Sequence, residues 1–325
     1  MILVVGATGQ LGTAVIRRLM VKQLPVRAFV RQASHYQHLQ DAGVELAFGD
    51  LCDPVSIERA CQGVEVVIAT ANTTIPQGKY NFAAIEDQGY QHLIAACQRH
   101  GVKQFVFMSV AVTPFDEAVL TFRFKRRTEE RLKKSGLSYT IFRGSLFMDD
   151  WFAFIGSYLP LRGAEAATIR RDFWFSKLFI KGVGNLIEKR GIALIPGPKS
   201  VRHAFIALDD VAEFIVASLG HPQAQKAIFS LGGPEILTWG EIVAHYENVL
   251  GRPVRAVYLP SGIFRFQRML LRPFSEAASN LMGLNWIVGY DTPFEMRETA
   301  AIFGVTLTHA GEFLREKASL PGQTS

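Results

Sequence analysis

Short apolar runs alternate, along the first half of the chain, with segments in which apolar residues recur every three or four positions. The runs are predicted to be β-strands, and they cover residues 2–5, 25–30, 44–48, 64–71, 104–108 and 139–142. The helical spacing is first seen at Val15, Ile16, Leu19 and Met20. Because strands that alternate with helices build βαβ units, the pattern predicts a Rossmann-type, doubly wound parallel α/β sheet.

This regular alternation stops near residue 150. Residues 1–150 are predicted to form a nucleotide-binding domain and residues 151–325 a smaller substrate or partner domain, with a return to the first domain near 203–235. The elements predicted in the second part are a helix capped by Asp209 or Asp210, a strand over 228–231, a helix from Thr238 to Gly251, a strand over 254–259 and a terminal helix over 303–314.

A glycine-rich turn joins the first strand to the first helix. Gly6 permits a sharp turn, Gly9 lets a pyrophosphate approach the backbone, and Gly12 lets the helix pack close to the sheet. The helix then presents free N–H groups and its positive dipole end to phosphates. No Gly-Lys-Ser/Thr follows, so the turn is not a P-loop, and it predicts a dinucleotide site.

Arg31 follows the second strand, where a dinucleotide fold places the adenosine ribose. An acidic residue there would bind the 2′-hydroxyl of NAD, whereas a guanidinium can bind a 2′-phosphate. Arg31 therefore favours NADP(H) over NAD(H) as the cofactor. The competing interpretation is a solvated loop charge.

Three further strand ends carry candidate site residues. Asp50 follows the third strand, and it could accept a hydrogen bond from adenine or cap the helix that starts near Pro54. The small residues 69–71 end the fourth strand and leave room for a ribose or nicotinamide. The fifth strand brings Ser109 to the carboxyl edge of the sheet, where ligands bind in open α/β folds.

Composition and charge restrict the partners. The formal charge of +6 suits a phosphorylated cofactor, an acidic substrate or an anionic membrane surface. No nucleic-acid-binding signature is found, so no nucleic-acid partner is expected. No run reaches the ~18 apolar residues of a membrane span, and the first strand starts at Ile2 without room for a leader peptide. We therefore expect a soluble protein, able to lie peripheral to a membrane, in the cytoplasm or in the equivalent compartment of an organelle that makes its own protein.

The cysteines and histidines predict no metal site. Cys52, Cys61 and Cys97 lack both ligand spacing and a redox motif, so they are predicted to be reduced, mostly buried thiols. His35 and His38 have an H-x-x-H spacing without a nearby Cys or carboxylate set, which indicates a surface pair.

Two charged segments have open interpretations. Residues 151–189 mix aromatic and basic side chains, which could form a substrate lid, a protein-docking face, an interfacial membrane contact or the core of the second domain. Residues 122–134 are predicted to be a charged helix. There, pairing of Glu129 and Glu130 with Lys133 and Lys134 would place most charges on a solvated face.

Taken together, these features resemble the NmrA-like family, a group of atypical members of the short-chain dehydrogenase/reductase superfamily. The resemblance covers nearly the whole chain. The residues that carry it are the first strand–turn–helix, Gly49-Asp50-Leu51, Ser109, Lys125 with Glu129, the run from Ser135 to Thr140, and the run from Leu208 to Ala212.

The resemblance implies a role for each matched position. The pyrophosphate would be held by Gly6, Ala7, Thr8, Gly9, Gln10, Leu11 and Gly12. Arg31 would meet the 2′-phosphate, and Lys125 would hydrogen-bond the nicotinamide ribose. The residues flanking the adenine would be Asp50 and Leu51, and those flanking the ribose Ala69, Thr70 and Ala71.

Two departures from the superfamily pattern concern the chemistry. The tyrosine that usually donates a proton, four residues before the lysine, is replaced by Thr121, whose hydroxyl is far too weak an acid. The Arg-Pro-Gly that usually follows the sixth strand reads Arg143-Gly144-Ser145.

Two functions follow as predictions. The first is an NADPH-dependent reductase of a small apolar conjugated or carbonyl substrate, such as a quinone, an enone or a tetrapyrrole, in which Lys125 and Ser109 are catalytic. The second is a non-catalytic NADP(H)-binding scaffold, assembly factor or redox sensor that docks a protein or a membrane through residues 151–189.

Overall fold

A computed structural model describes residues 1–73, 76, 78–164 and 184–321 of the chain. Its strands are β1 (Ile2–Val5), β2 (Val26–Val30), β3 (Glu45–Phe48), β4 (Val66–Ala69), β5 (Gln104–Val110), β6 (Tyr139–Gly144), β7 (Ile192–Pro196), β8 (Arg202–His203), β9 (Ala227–Leu231), β10 (Leu237–Thr238) and β11 (Arg255–Leu259).

The helices of the described residues surround these strands. They are α1 (Gln10–Val21), α2 (Gln37–Asp41), α3 (Pro54–Cys61), α4 (Tyr90–Arg99), α5 (Leu120–Lys134), α6 (Met148–Phe154), α7 (Leu186–Arg190), α8 (Leu208–Ala217), α9 (Trp239–Leu250), α10 (Ser261–Leu271), α11 (Glu276–Ile287), α12 (Arg297–Phe303) and α13 (Ala310–Ser319). A π-helical segment, Ala83–Gly89, leads directly into α4. In the part of the chain that is described, no helix is long and apolar enough to cross a bilayer.

The main sheet has seven parallel strands in the order β3-β2-β1-β4-β5-β6-β9. All four residues of β1 are buried, because α1 and α8 cover one face of the sheet while α3 and α4 cover the other. Burial on both faces explains why the predicted strands read as continuous apolar runs. The Rossmann-type prediction is confirmed by this sheet.

The strand order reverses between β1 and β4. The loops that follow these two strands therefore leave the sheet in opposite directions and open a crevice at its carboxyl edge. Backbone bonds from Thr70 and Ala71 to the carbonyl of Val5, at 2.8 and 3.1 Å, fasten the two strand ends together.

A second cluster of buried residues lies beyond β6. It includes Trp239 and Phe152, and it is built around the parallel pair β7 and β11 together with α9 and α13. The predicted capping box is present at the start of α9, where Thr238 and Glu241 bind each other's backbone. β9 is the seventh strand of the main sheet rather than part of this second cluster.

Two expected features of the second half are wrong. Neither Asp209 nor Asp210 caps α8, because the N-cap position is Ala207 and the free N–H of Leu208 donates to Asp149 at 2.9 Å. Residues 303–314 are not one helix, since α12 ends at Phe303 and α13 begins only at Ala310.

Candidate functional site

The turn after β1 has no room for side chains at two of its glycines. Gly6 has a φ of +91°, and a Cβ there would lie 2.5 Å from the nitrogen of Ala71. A Cβ at Gly12 would collide with the carbonyl oxygen of Gly6. Both positions therefore require glycine, the first for its conformation and the second for the close approach of α1 to the turn.

The amino end of α1 is left open toward the crevice. Its N-cap is Gly9, which provides no side-chain cap, and its first turn holds no acidic residue. A Cβ at Gly9 would have a single neighbour within 4 Å, the carbonyl oxygen of Gly6. The first N–H groups and the positive dipole end thus face a space that an anion can enter.

The other residues of the turn contribute through their backbone. Ala7 and Leu11 are buried in the core of the sheet at 0% and 8% exposure, whereas Thr8 and Gln10 are partly exposed. The described turn fits a diphosphate group, because it offers backbone donors and no carboxylate.

Arg31 lies at the carboxyl edge of the sheet, immediately after β2, and it is exposed. Its guanidinium carbon is 4.9 Å from the centre of the Tyr80 ring, and Lys79 approaches the same ring at 5.1 Å. Lys79 and Tyr80 were not found from the sequence, since they belong to a polar connection without periodicity. Two cations and an aromatic face suit a phosphorylated adenosine.

Asp50 lies beside this group, and its carboxylate is 3.8 Å from the ammonium of Lys79. It also accepts a hydrogen bond from the backbone of Cys52 at 2.9 Å. The alternative that Asp50 caps α3 is wrong, because Asp53 caps it by accepting from Val55 at 3.0 Å. Leu51 is buried at 7% exposure.

Lys125 reaches the crevice from α5. Its ammonium donates to the carbonyl of Ala71 at 3.2 Å and lies 3.6 Å from the carboxylate of Glu86. The side chain is buried, and the rings of Phe107 and Tyr90 lie 4.8 and 5.4 Å from the ammonium. Burial lowers the pKa of Lys125, and the nearby carboxylate of Glu86 opposes this change.

Glu86 is a further buried member of the site, on the π-helical segment. One of its oxygens accepts from the backbone of Thr73 at 2.6 Å, and the other faces Lys125. No periodic or spacing signal distinguished Glu86 in the sequence. It lies in a π-helical turn, a feature common at functional sites.

Ser109 is buried at 1% exposure, and its hydroxyl donates to the carboxylate of Glu129 at 2.5 Å. Glu129 is also buried and binds Arg143 at 2.6 Å and Arg126. The prediction that Glu129 lies on a solvated face is therefore wrong, while the exposed Glu130 does pair with Lys133 at 2.7 Å. The structure places Ser109 in this buried carboxylate network.

Thr121 occupies the place of the missing tyrosine. Its backbone N–H and its hydroxyl both donate to the side-chain oxygen of Asn280 on α11, each at 3.1 Å. Thr121 thus connects α5 to the second half of the chain rather than pointing an acidic proton at a ligand.

The remaining candidates are the two histidines, a metal site and the segment 151–189. His38 is not simply half of a surface pair, because its ring lies 3.2 Å from the hydroxyl of Thr13. Among the described residues no group of three or more potential metal ligands is found. Of the aromatic and basic segment 151–189, residues 165–183 lie outside the described residues, while Phe152 and Ile187 belong to the second buried cluster.

The chain is similar to known proteins over most of its length. A family model described as the NmrA-like family matches residues 1–295. The photosystem II assembly factor Ycf39 of Cyanophora paradoxa is 27% identical over 270 residues, which are 82% of this chain and 74% of that protein. The NAD(P)H azoreductase of Xenophilus azovorans is 27% identical over 257 residues, 79% of this chain and 76% of that protein.

A solved structure shows the same fold. The triphenylmethane reductase of Citrobacter sp., complexed with NADP(H), superposes with a TM-score of 0.71 at 20% identity and covers 98% of this chain and 100% of that one.

Proposed function

Because the chain belongs to the NmrA-like family, we propose that it is an NADPH-dependent reductase of a small apolar conjugated or carbonyl substrate. One observation carries this proposal. The ammonium of Lys125 is fixed on the carbonyl of Ala71, whose own N–H binds the end of β1 beside the glycine turn. A cation is thereby held next to a site shaped for a dinucleotide.

The cofactor enters the proposal through the residues that would hold it. Bound NADPH supplies the hydride. The turn from Gly6 to Gly12 would hold the diphosphate with backbone N–H groups, and Arg31 would bind the 2′-phosphate, assisted by Lys79. Asp50 and Leu51 would flank the adenine, and residues 69–71 the ribose.

Lys125 is proposed to serve both binding and chemistry. Its ammonium can turn from Ala71 to the nicotinamide ribose, or stabilise negative charge that develops on the substrate. Glu86 keeps this buried ammonium charged, since it raises the pKa that burial lowers. Ser109 is proposed to assist by holding Glu129, a second carboxylate that raises the pKa of Lys125.

The available proton donors support the proposed substrate class. Thr121 is held by Asn280 and is a poor acid, so the proton must come from Lys125 or from water. A conjugated substrate can delocalise the negative charge that hydride transfer produces, so its reduction depends less on a strong proton donor. Quinones, enones and tetrapyrroles meet this condition, and the azoreductase and the triphenylmethane reductase are named for conjugated substrates.

The second candidate is a cofactor-binding scaffold. The tie between Thr121 and Asn280 favours it, because the place of the usual proton donor is used to connect two parts of the chain. The relative Ycf39 is named as a photosystem II assembly factor, and a role in assembly is compatible with such a scaffold. Such a scaffold would dock a protein or a membrane through residues 151–189.

Turnover separates the two candidates. Purified protein is mixed with NADPH and a panel of quinones, enones, azo dyes and tetrapyrroles, and loss of NADPH absorbance is followed. The reductase should lose at least about 100-fold in kcat on Lys125→Met while cofactor affinity falls only a fewfold. Wild-type protein that binds NADPH but oxidises it with none of these acceptors would support the scaffold instead.

A further inference from the structure

Helix α10 presents its apolar side to solvent. Ile263, Phe266 and Leu270 follow one another at helical spacing, and they are 47%, 67% and 58% exposed. Phe274, just beyond the helix, is 83% exposed. No residue of α10 is fully buried, so the helix rests on α11 while its apolar stripe has no cover among the described residues. An exposed apolar patch of this kind marks an interaction surface.

Arginines surround the base of this stripe. Arg265 and Arg268 lie 5.8 and 5.9 Å from the ring of Trp286 on α11. Arg268 and Arg272 also line a cleft of about 250 Å³ together with Arg123 of α5 and one acidic residue, Glu276. Burial, together with the positive charges of Arg272 and Arg123, lowers the pKa of Arg268. The cleft therefore concentrates positive charge, and a bound anion would reduce the repulsion between its arginines.

The positive charge of the α10 surface indicates which kind of partner it can bind. From Ser261 to Ser275 the chain has three arginines and no acidic residue. A second copy of α10 would bring arginines against arginines. The segment 165–183 of this chain carries four basic residues against two acidic ones, so it does not complement the arginines either. Exposed phenylalanines beside arginines instead match a bilayer with anionic headgroups, which offers acyl chains and phosphates side by side.

We propose that the surface formed by α10 and the loop to Phe274 docks on an anionic lipid bilayer, with Phe266 and Phe274 entering the acyl boundary and the cleft of Arg123, Arg268 and Arg272 receiving a headgroup phosphate. Docking here is independent of the cofactor site, since none of these residues belongs to the crevice between β1 and β4.

Vesicle flotation of the full chain without nucleotide tests the proposal. We expect it to float with phosphatidylcholine vesicles that contain roughly 30% phosphatidylglycerol, and to bind at least about tenfold more weakly to phosphatidylcholine alone or in high salt. Phe266→Ser with Phe274→Ser should weaken binding at least about tenfold, and so should Arg265→Gln with Arg272→Gln.

Matched controls change the same chemistry elsewhere. Val21→Ser with Val55→Ser removes apolar side chains that are 80% and 73% exposed, and Arg17→Gln with Arg297→Gln removes two exposed arginines. Both control pairs should float like the wild type, and all variants should keep its melting temperature and NADPH affinity.

Three results would overturn the proposal. The wild type could fail to float, or the α10 variants could float as well as the controls. Alternatively, sedimentation could show that Phe266→Ser with Phe274→Ser converts an oligomer to monomers without changing flotation. That result would mean that the apolar stripe contacts a second copy of the chain. Because NADPH titration is read separately, failure here is distinguishable from failure of the cofactor site.

Discussion

We propose that the choice between NADPH and NADH depends on Arg31, whose side chain is exposed. Arg31→Asp places a carboxylate where the 2′-phosphate would lie, and it removes the contact with Tyr80. We expect NADPH affinity to fall about 10- to 100-fold while NADH affinity changes only a fewfold, because a charge-assisted bond to phosphate is replaced by repulsion. Titration calorimetry with both nucleotides measures the difference.

Arg297→Asp makes the same change on the exposed start of α12 and should affect neither nucleotide. Equal weakening of NADPH and NADH by Arg31→Asp would show that Arg31 does not meet the phosphate.

The buried pair of Lys125 and Glu86 predicts a pH effect. Lys125 must be protonated to stabilise negative charge, and its pKa is already lowered by burial. Glu86→Gln removes the carboxylate that raises this pKa, so the alkaline limb of the kcat profile should move to lower pH. The profile is measured with the best acceptor from the turnover panel.

Asp87→Asn is the matched control for this variant. Asp87 is the next residue along the chain, but it pairs with Arg131 at 2.5 Å and is partly exposed. Its replacement should leave the alkaline limb in place. A limb that moves equally in both variants would mean that Glu86 does not control Lys125.

The same residues show how far single positions could be predicted. The local pattern sufficed to place Gly6 and Gly12 in a tight turn and Arg31 at the end of a strand, because a turn and a strand end are set by neighbouring residues. Glu86 and the buried carboxylate of Glu129 could not be found this way, since their partners Lys125 and Arg143 are distant in the chain. An i,i+4 spacing suggested solvent for Glu129, but Arg126 on the same helix and the more distant Arg143 bind its carboxylate in a buried network.

At the scale of elements, the close packing of α1 against the turn predicts a steric penalty. Gly12→Ala would drive a methyl group into the carbonyl oxygen of Gly6, which is backbone and cannot move aside. We expect the free energy of unfolding to fall by about 1–3 kcal/mol or more, and NADPH binding to weaken because the turn must shift. Urea unfolding and calorimetry give the two values.

Gly262→Ala is the comparison within another helix. Gly262 lies in the first turn of α10, where an added Cβ meets nothing within 4 Å, so the same substitution should stabilise by up to about 1 kcal/mol. A neutral Gly12→Ala would show that α1 can move away from the turn at no cost.

Hydrophobic patterns predicted elements that lie in the core. The strands from β1 to β6 and helix α9 lie close to their predicted positions, and among these elements only β3 contains no buried residue. Residues 260–302 carried no predicted element, although α10, α11 and α12 lie there. The apolar stripe of α10 faces solvent, whereas α11 buries Asn280 and Ser279 beside Trp286. In this region, therefore, whether a residue is apolar or polar does not indicate whether it is buried.

At the scale of the whole molecule, long-range contacts complete the fold. β9 extends the main sheet next to β6, and α8 packs on α1 with Arg18 paired to Asp209 and Glu213 at 2.8 Å. The strand over 228–231 could be predicted locally, but its neighbour in the sheet could not, because pairing joins residues far apart in sequence. The division at residue 150 stays a prediction.

Asp149 links three helices of this assembly. It lies on α6, accepts from Leu208 at the start of α8 at 2.9 Å, and is 3.6 Å from the ammonium of Lys317 on α13. Burial raises the pKa of Asp149 to about 6, although Lys317 and the bond from Leu208 act in the opposite direction. The folded chain therefore binds this proton more tightly than the unfolded chain does.

This difference in proton binding makes the free energy of unfolding depend on pH. The contribution of the Asp149 proton to stability is complete below the usual pKa near 4 and is lost as the pH rises through about 6. Asp149→Asn stays neutral throughout. Relative to this variant, the wild type should lose up to about 3 kcal/mol in its free energy of unfolding between pH 4 and pH 7, as measured by urea unfolding across that range.

His203 contributes equally to the pH dependence of the wild type and of Asp149→Asn, so its contribution cancels when the two unfolding free energies are compared. Burial lowers the pKa of His203 to about 4, and acid therefore destabilises the fold of wild type and variant equally. Asp41→Asn, which removes an exposed carboxylate of α2, should run parallel to the wild type. If the curves of wild type and Asp149→Asn are also parallel, Asp149 is ionised at no cost in the fold, and its bonds to Leu208 and Lys317 outweigh its burial.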